Sequence, residues 1–182
     1  METKKSLIPI YELEFSDGIS LKIHVKKAKT GILSIILFFA LSIFFIPIIF
    51  FIYLATTGEG IPLGFIITCI VGFLSSGYLL KLYLWNKYGT EVIIIQKKSL
   101  ILYYDYKLFK DNYQKNHFES IQVYFESNGI LMNASQRVSD PKENANINNV
   151  ICFNLDGKDI KSEGEIPLEE IIKISNYLRQ TN

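Results

Sequence analysis

The chain has 182 residues, of which 49% are hydrophobic and 20% charged, with a formal net charge of +1. The first 30 residues carry six bases and four acids, and the stretch from Lys87 onward carries twelve bases and thirteen acids. No segment has the basic field that a phosphate backbone requires, so nucleic acid is excluded as an expected partner.

The chain opens with a hairpin pattern. Tyr11, Leu13 and Phe15 alternate with Glu12 and Glu14, Asp17-Gly18 suits a tight turn, and Ile19, Leu21, Ile23 and Val25 alternate with Ser20, Lys22, His24 and Lys26. This is the pattern of a half-buried antiparallel pair. Two strands alone are marginal in water, so their apolar face needs a partner from elsewhere in the chain.

Two uncharged stretches follow. No charge occurs from Thr30 to Gly58 or from Gly60 to Leu80, and Glu59 alone separates them. Spans over about 31–55 and 61–85 are each long enough to cross a bilayer, which takes roughly 20 apolar residues. A signal peptide fits poorly, because patterned sequence precedes the first run and the run is too long. Lys22, Lys26, Lys27 and Lys29 precede the pair, Lys81 and Lys87 end or follow it, and the loop 56–60 has no base. The positive-inside rule therefore places both termini in the cytoplasm of a multi-pass protein of the cell (inner) membrane. Tyr83, Trp85 and Tyr88 fall at the inner boundary and Tyr53 at the outer one. Pro47 is expected to kink the first span. Thr68, Gly72 and Ser76 recur every four residues and form a small-residue face, read either as hairpin packing or as a dimerisation surface. No Asp, Glu, Arg or His lies inside either span, which argues against transport.

Beyond the spans, strands are expected over 91–96, 100–106, 113–118, 121–125, 130–132, 150–155 and 159–161, with a turn at Asp156-Gly157. A helix is expected over 167–179, with Pro167 at its first position, Glu169 and Glu170 in the first turn and Leu168, Ile171, Ile172 and Leu178 as its apolar stripe. The segment Asn133 to Asn149 reads as a polar loop, and its sequon Asn133-Ala134-Ser135 would be silent in the cytoplasm. The expected fold class is α+β: a transmembrane helical hairpin (31–86) inserted between an N-terminal β-hairpin (1–30) and a β-domain (87–182), which together form a small antiparallel barrel or sandwich closed by the C-terminal helix.

The order of these segments, with WNKYGTEVIIIQKKSLILYYDYKLF, HFESIQVYF, VICFNLDGKDI and IPLEEIIKISNYLRQ, resembles bacterial membrane proteins carrying a pleckstrin-homology-like domain. A weaker likeness exists to photosystem I assembly proteins. The resemblance covers nearly the whole chain and implies architecture and scaffolding more than activity.

Chemistry is sparse. Cys69 falls in the membrane and Cys152 in a strand of the reducing cytoplasm, so no disulfide is expected. His24 and His117 give no metal-ligand spacing, and no nucleotide, hydrolase or protease motif is present. No cofactor, metal or catalytic residue is assigned. The expected function is a membrane-anchored, non-enzymatic protein whose cytoplasmic domain mediates protein interaction or assembly. Anionic-lipid sensing through Lys22, Lys26, Lys27 and Lys29 is the alternative, and a small membrane enzyme with an unrecognised site is a further one.

Overall fold

Alternating side chains decide the first half of the architecture. In a computed structural model that describes residues 11–58, 60–127, 129–134 and 148–181, β1 (Tyr11–Phe15) and β2 (Ile19–His24) form the antiparallel pair that their period of two demands. Ile19, Leu21 and Ile23 are buried on one face of β2. Two helices follow, α1 (Thr30–Thr57) and α2 (Leu63–Tyr88), both long and apolar enough to cross a membrane. The remaining strands are β3 (Thr90–Gln96), β4 (Ser99–Asp105), β5 (Lys110–His117), β6 (Ile121–Ser127), β7 (Ile130–Asn133), β8 (Asn148–Leu155) and β9 (Lys158–Pro167). Helix α3 (Leu168–Thr181) follows them.

The strands build two antiparallel sheets, one ordered β1-β2-β3-β4-β5 and the other β7-β6-β8-β9. The first sheet follows chain order although the whole helical segment separates His24 from Thr90, which are register partners in the β2–β3 ladder. The chain accordingly divides into two compact units, Met1–Val25 with Thr90–Asn182, and Lys26–Gly89. The helical pair interrupts one β-domain. The boundaries expected at 30/31 and 86/87 move to 25/26 and 89/90, because β2 ends before the lysine-rich linker and α2 continues through Tyr88.

Inside the β-unit, Leu21, Ile93, Leu100 and Leu102 from the first sheet meet Phe125, Ile151 and Phe153 from the second, all within one apolar core. The amphipathic α3 adds Leu168, Ile171, Ile174 and Leu178 to that core. The Phe15 ring lies 4.9 Å from that of Tyr177, whose hydroxyl donates to the Ser16 carbonyl, so α3 is fastened to β1 as well.

Several expected boundaries shift for physical reasons. β5 begins at Lys110, ahead of the expected start at Tyr113, and Phe118 leaves the strand to enter the core while its N–H donates to the Lys98 carbonyl. β9 runs for 10 residues where only 159–161 is expected, and Pro167 is its last residue; the helix starts at Leu168. The expected loop 133–149 begins and ends in strands, with Asn133 in β7 and Asn148 and Asn149 in β8; residues 135–147, including Ser135 of the sequon, lie outside the described residues.

Two turns contrast in how well their residues suit them. Asp156 (φ 49°) and Gly157 (φ 90°) join β8 to β9 as expected of an Asp-Gly pair. The Asp156 carboxylate also accepts the N–H groups of Glu119 and Ser120, each at 2.8 Å, which holds its carboxyl below the usual range. By contrast, Lys97 (φ 43°) and Lys98 (φ 60°) make the β3–β4 turn with two side chains that disfavour the left-handed region. The double variant Lys97→Asn/Lys98→Gly supplies the residues such a turn favours and is expected to stabilise the domain by about 1 kcal/mol. Denaturant unfolding followed by a domain signal checks this, and an unchanged or lowered midpoint would refute it.

Candidate functional site

Among the described residues, the β-unit contains one fully buried carboxylate. Glu91 shares the phase of Ile93 and Ile95 on β3 and is 1% exposed. No motif singles it out, although a charge on the buried register of an otherwise Val/Ile strand is itself a signal. Opposite it, β9 carries two extra residues relative to β8 between the pairs Val150↔Glu165 and Cys152↔Lys161. There the Ser162 hydroxyl accepts the Ile151 N–H at 3.2 Å and donates to the Gly164 carbonyl at 2.8 Å, replacing a ladder bond. The freed N–H groups of Glu163 and Gly164 donate to the Glu91 carboxylate at 2.9–3.1 Å. The Tyr104 hydroxyl, from the residue paired with Glu91, donates to the Glu163 carboxylate at 2.8 Å. A Cβ on Gly164 would lie 2.4 Å from Ile23 Cγ2, so the close approach of β9 to β2 requires glycine. This constellation joins the two sheets. Its acceptor is engaged by backbone donors, which suits a structural role.

Burial pushes the Glu91 carboxyl above the usual carboxylate range; the Gly164 and Glu163 amides oppose this and the Glu163 charge adds to it. Burial, the hydrogen bond to Glu163 and the neighbouring carboxylates likewise raise Tyr104.

The lysines expected to act together are divided. Lys22 lies within β2, where its ammonium donates to Glu12 at 3.2 Å, and His24 completes the same polar row. Because a carboxylate only accepts, His24 Nε2 is assigned as donor to Glu12 at 3.4 Å, with Nδ1 3.0 Å from the Thr90 hydroxyl. The Lys22 and His24 contacts hold the Glu12 carboxyl below its ordinary value. Lys26, Lys27 and Lys29 instead lie exposed in the linker 25–29. Lys87 is folded against Tyr83 and Tyr88, with its nitrogen 2.7 Å from the Tyr83 hydroxyl.

Within the helical unit, Ser76 donates to the Ala40 carbonyl at 2.8 Å, and a Cβ on Gly72 would meet Ile43 and Pro47 at ordinary contact distance. These two residues therefore pack α2 on α1. Thr68 does not join them: it is exposed and donates to the Gly64 carbonyl of its own helix at 2.9 Å. A four-residue step advances about 40° around a helix beyond a full turn, so the stripe drifts off the contact. The residues of α2 turned inward, Phe65, Cys69, Gly72, Ser76 and Leu79, step by four and three, and Leu33, Ala40, Pro47 and Leu54 of α1 step by seven. Both follow the roughly 3.5-residue period of a left-handed pair. Near the loop end the helices leave an apolar groove of about 360 Å³ lined by Pro47, Phe51, Phe65, Cys69 and Phe73 among others.

Reactive groups elsewhere are held in packing roles. Cys152 is 5% exposed, and burial raises its thiol. It borders a hollow of about 220 Å³ with Tyr124, Leu131, Asn154 and Asp159, while the Lys161–Glu126 ion pair lies on the flanking strands. No group of three or more His, Cys, Asp or Glu side chains suited to a metal ion occurs among the described residues.

Removing the sheet junction has a calculable cost. Glu91→Ala leaves the Glu163 and Gly164 amides without acceptors and is expected to destabilise the domain by about 2–4 kcal/mol. Glu91→Gln keeps one acceptor and removes the titration. A raised folded pKa means that Glu91 contributes stability fully present below its unfolded value near 4.5 and lost as pH rises through the folded value. The Gln variant should therefore lose less stability than the wild type as pH rises through that window, a convergence readable from thermal unfolding at several pH values. Parallel curves would show that Glu91 does not titrate differently on folding. Among known proteins, no family model, no curated protein and no solved structure matches this chain.

Proposed function

We propose that this chain is a multi-pass protein of the cell membrane, with both termini in the cytoplasm, whose β-domain mediates non-enzymatic protein interaction or assembly at the inner surface. The observation that carries the reading is the exposure of α1 and α2. Only 6% of the most apolar window of each helix is buried. Their outward side chains are large and apolar, including Phe38, Ile46, Ile49, Leu74 and Tyr78. In water each such side chain forgoes about 1.5–3 kcal/mol of burial free energy, whereas a hydrocarbon phase accommodates them all. A soluble core helix of this length would be buried instead.

The interaction role is supported by how the polar groups of the domain are engaged. Glu91, Ser162 and Asp156 hold backbone amides, and Cys152 packs. The pleckstrin-homology-like assignment belongs to the same proposal. Two antiparallel sheets closed by a C-terminal helix agree with the strand order on which the resemblance rests.

Lipid sensing is a second reading, favoured by the exposed Lys26, Lys27 and Lys29. At about 1 kcal/mol per base near an anionic surface, three lysines suffice for headgroup attraction. Lys22, held by Glu12 within the sheet, belongs to this group less well than its place in the sequence suggests. Changing Lys26, Lys27 and Lys29 to Gln separates the readings: unchanged headgroup binding by the purified protein removes the lipid role, while in-membrane crosslinking identifies a protein partner.

Orientation has its own test. In a background with Cys69→Ala and Cys152→Ala, Thr57→Cys is expected to react with an impermeant thiol reagent added to intact cells. Labelling that appears only after lysis would overturn the proposed topology.

A further inference from the structure

Large exposed apolar side chains are scarce among the described residues of the β-unit, and three of them cluster at one hairpin. Leu108 is 75% exposed, Phe109 43% and Tyr113 62%. Leu108 and Phe109 occupy the tip between β4 and β5, where Tyr106 N–H donates to the Phe109 carbonyl at 3.0 Å. The tip is preformed. Asp105 accepts the Lys107 N–H at 2.7 Å, and the rings of Tyr106 and Phe109 stack with centroids 4.6 Å apart. Tyr106 is buried and carries the stacked Phe109 ring, while Leu108 is 75% exposed at the apex. At position 108 a turn that a polar residue would make as well carries Leu instead.

Strand register gives this tip an address. His24 pairs with Thr90, and Thr90 pairs with Asp105. Three neighbouring strands therefore end at the same edge of the sheet. At two of them the chain leaves for or returns from the helical unit, through the linker 25–29 and through Gly89. At the third stands the Leu108-Phe109 apex. Lys107 and Lys110 flank the apex directly, with the Lys110 nitrogen 4.6 Å from the Tyr103 ring centroid. Asp111 lies one residue and Asp105 two residues further from the apex; they balance these two lysines in formal charge, and the Asp105 carboxylate accepts the Lys107 N–H. The linker that follows His24 in the chain carries Lys26, Lys27 and Lys29. An apolar apex whose nearest charges are lysines suits a bilayer interface: acyl chains take the apex, and the lysine stems reach past it to headgroup phosphates.

We infer that the β4–β5 tip is a second membrane-contacting element, in which Leu108 and Phe109 insert into the headgroup–acyl boundary of an anionic leaflet and Lys107 and Lys110 meet its phosphates. The inference rests on the membrane reading of α1 and α2. The tip then fixes the tilt of the domain at the leaflet, which two chain crossings alone leave free to pivot.

The test uses the full chain reconstituted in vesicles of phosphatidylcholine and phosphatidylglycerol that contain lipids brominated near the top of the acyl chain. In a Trp85→Phe background, Leu108→Trp places a single tryptophan at the most exposed apex position, where it cannot disturb packing. Ile46→Trp, in the same background, reports the helices independently. The expected result is a blue shift of the indole emission from position 108 and its quenching by bromine, with less quenching when Lys107 and Lys110 are changed to Gln. Quenching at position 46 without quenching at 108 overturns the tip while leaving the membrane reading intact. A blue shift at 108 without quenching overturns it in favour of a protein contact. Absence of quenching at both positions defeats the membrane reading and the tip with it.

Discussion

One carboxylate and one bulge hold the β-domain together, and each requires the other. β9 pairs with β8 at both of its ends, yet between them it swings over β2, close enough that Gly164 leaves no room for a methyl group beside Ile23. That excursion takes two extra residues out of the ladder and frees the amides of Glu163 and Gly164 at a half-buried place. An unpaired buried amide is destabilising by about 1–3 kcal/mol, so the bulge needs an acceptor at that place. Glu91 supplies it from the other sheet. A carboxylate withdrawn from water is more unfavourable still when alone, and the converging N–H groups offset part of its desolvation, which still leaves its carboxyl above the usual range. An apolar residue at position 91 would pack well against Ile93 and Ile95 and leave the bulge unsatisfied.

The second constraint is topological. β2 and β3 are neighbours in the sheet, so whatever is inserted between them must bring the chain back to its point of departure. Two antiparallel helices do so, and the contacts Ala40–Ser76, Ile43–Gly72 and Phe50–Phe65 run in opposite directions along the two axes. At about 1.5 Å per residue, 28 and 26 residues make arms of about 40 Å each. The return junction is short: Gly89 alone links α2 to β3, its N–H donates to the Trp85 carbonyl, and a Cβ there would meet that oxygen at 2.4 Å. The outgoing junction spans residues 25–29 and carries the lysines. The same sequence that allows chain departure thus concentrates positive charge at that edge of the sheet.

What is legible in the sequence follows from periodicity. The strict alternation of Ile19, Leu21 and Ile23, the Asp156-Gly157 turn and the two uncharged helices are all readable, because each is dictated locally. The start of β5 is hidden because KDNYQKNH has no apolar face; it is an edge strand paired on one side only, and its assignment depends on β4. Most of β9 is hidden because SEGE interrupts the alternation, and that interruption is the bulge itself. In the stripe Thr68, Gly72, Ser76, the glycine and serine do face α1, but the contact keeps a period near 3.5 residues that a four-residue spacing cannot follow. Lys22 groups with the linker lysines by proximity in sequence, while its strand register assigns it to Glu12. The Glu91 junction escapes a sequence reading because the partner amides belong to backbone 72 and 73 residues away, which no side-chain pattern announces.

Polar groups inside the domain are committed to its structure, and this narrows where recognition can reside. Among the described residues, Asn116 Nδ2 is the one buried side-chain polar atom without a partner, and its own Oδ1 accepts from Lys158. Glu91, Ser162, Tyr104 and Asp156 each hold a turn, a bulge or a strand connection, so altering them changes the fold before it changes any surface. The features that the fold does not require are of another kind: exposed lysines in a linker that needs none, and Leu108 at a turn that a polar residue would make as well. Both lie at the edge of the sheet from which the chain leaves for the helices. Ile130 and Leu131 of β7 are a further exposed apolar pair, on the other sheet; what distinguishes Leu108 is its place beyond Asp105, in register with Thr90 and His24, where the strands continue into the helical segment.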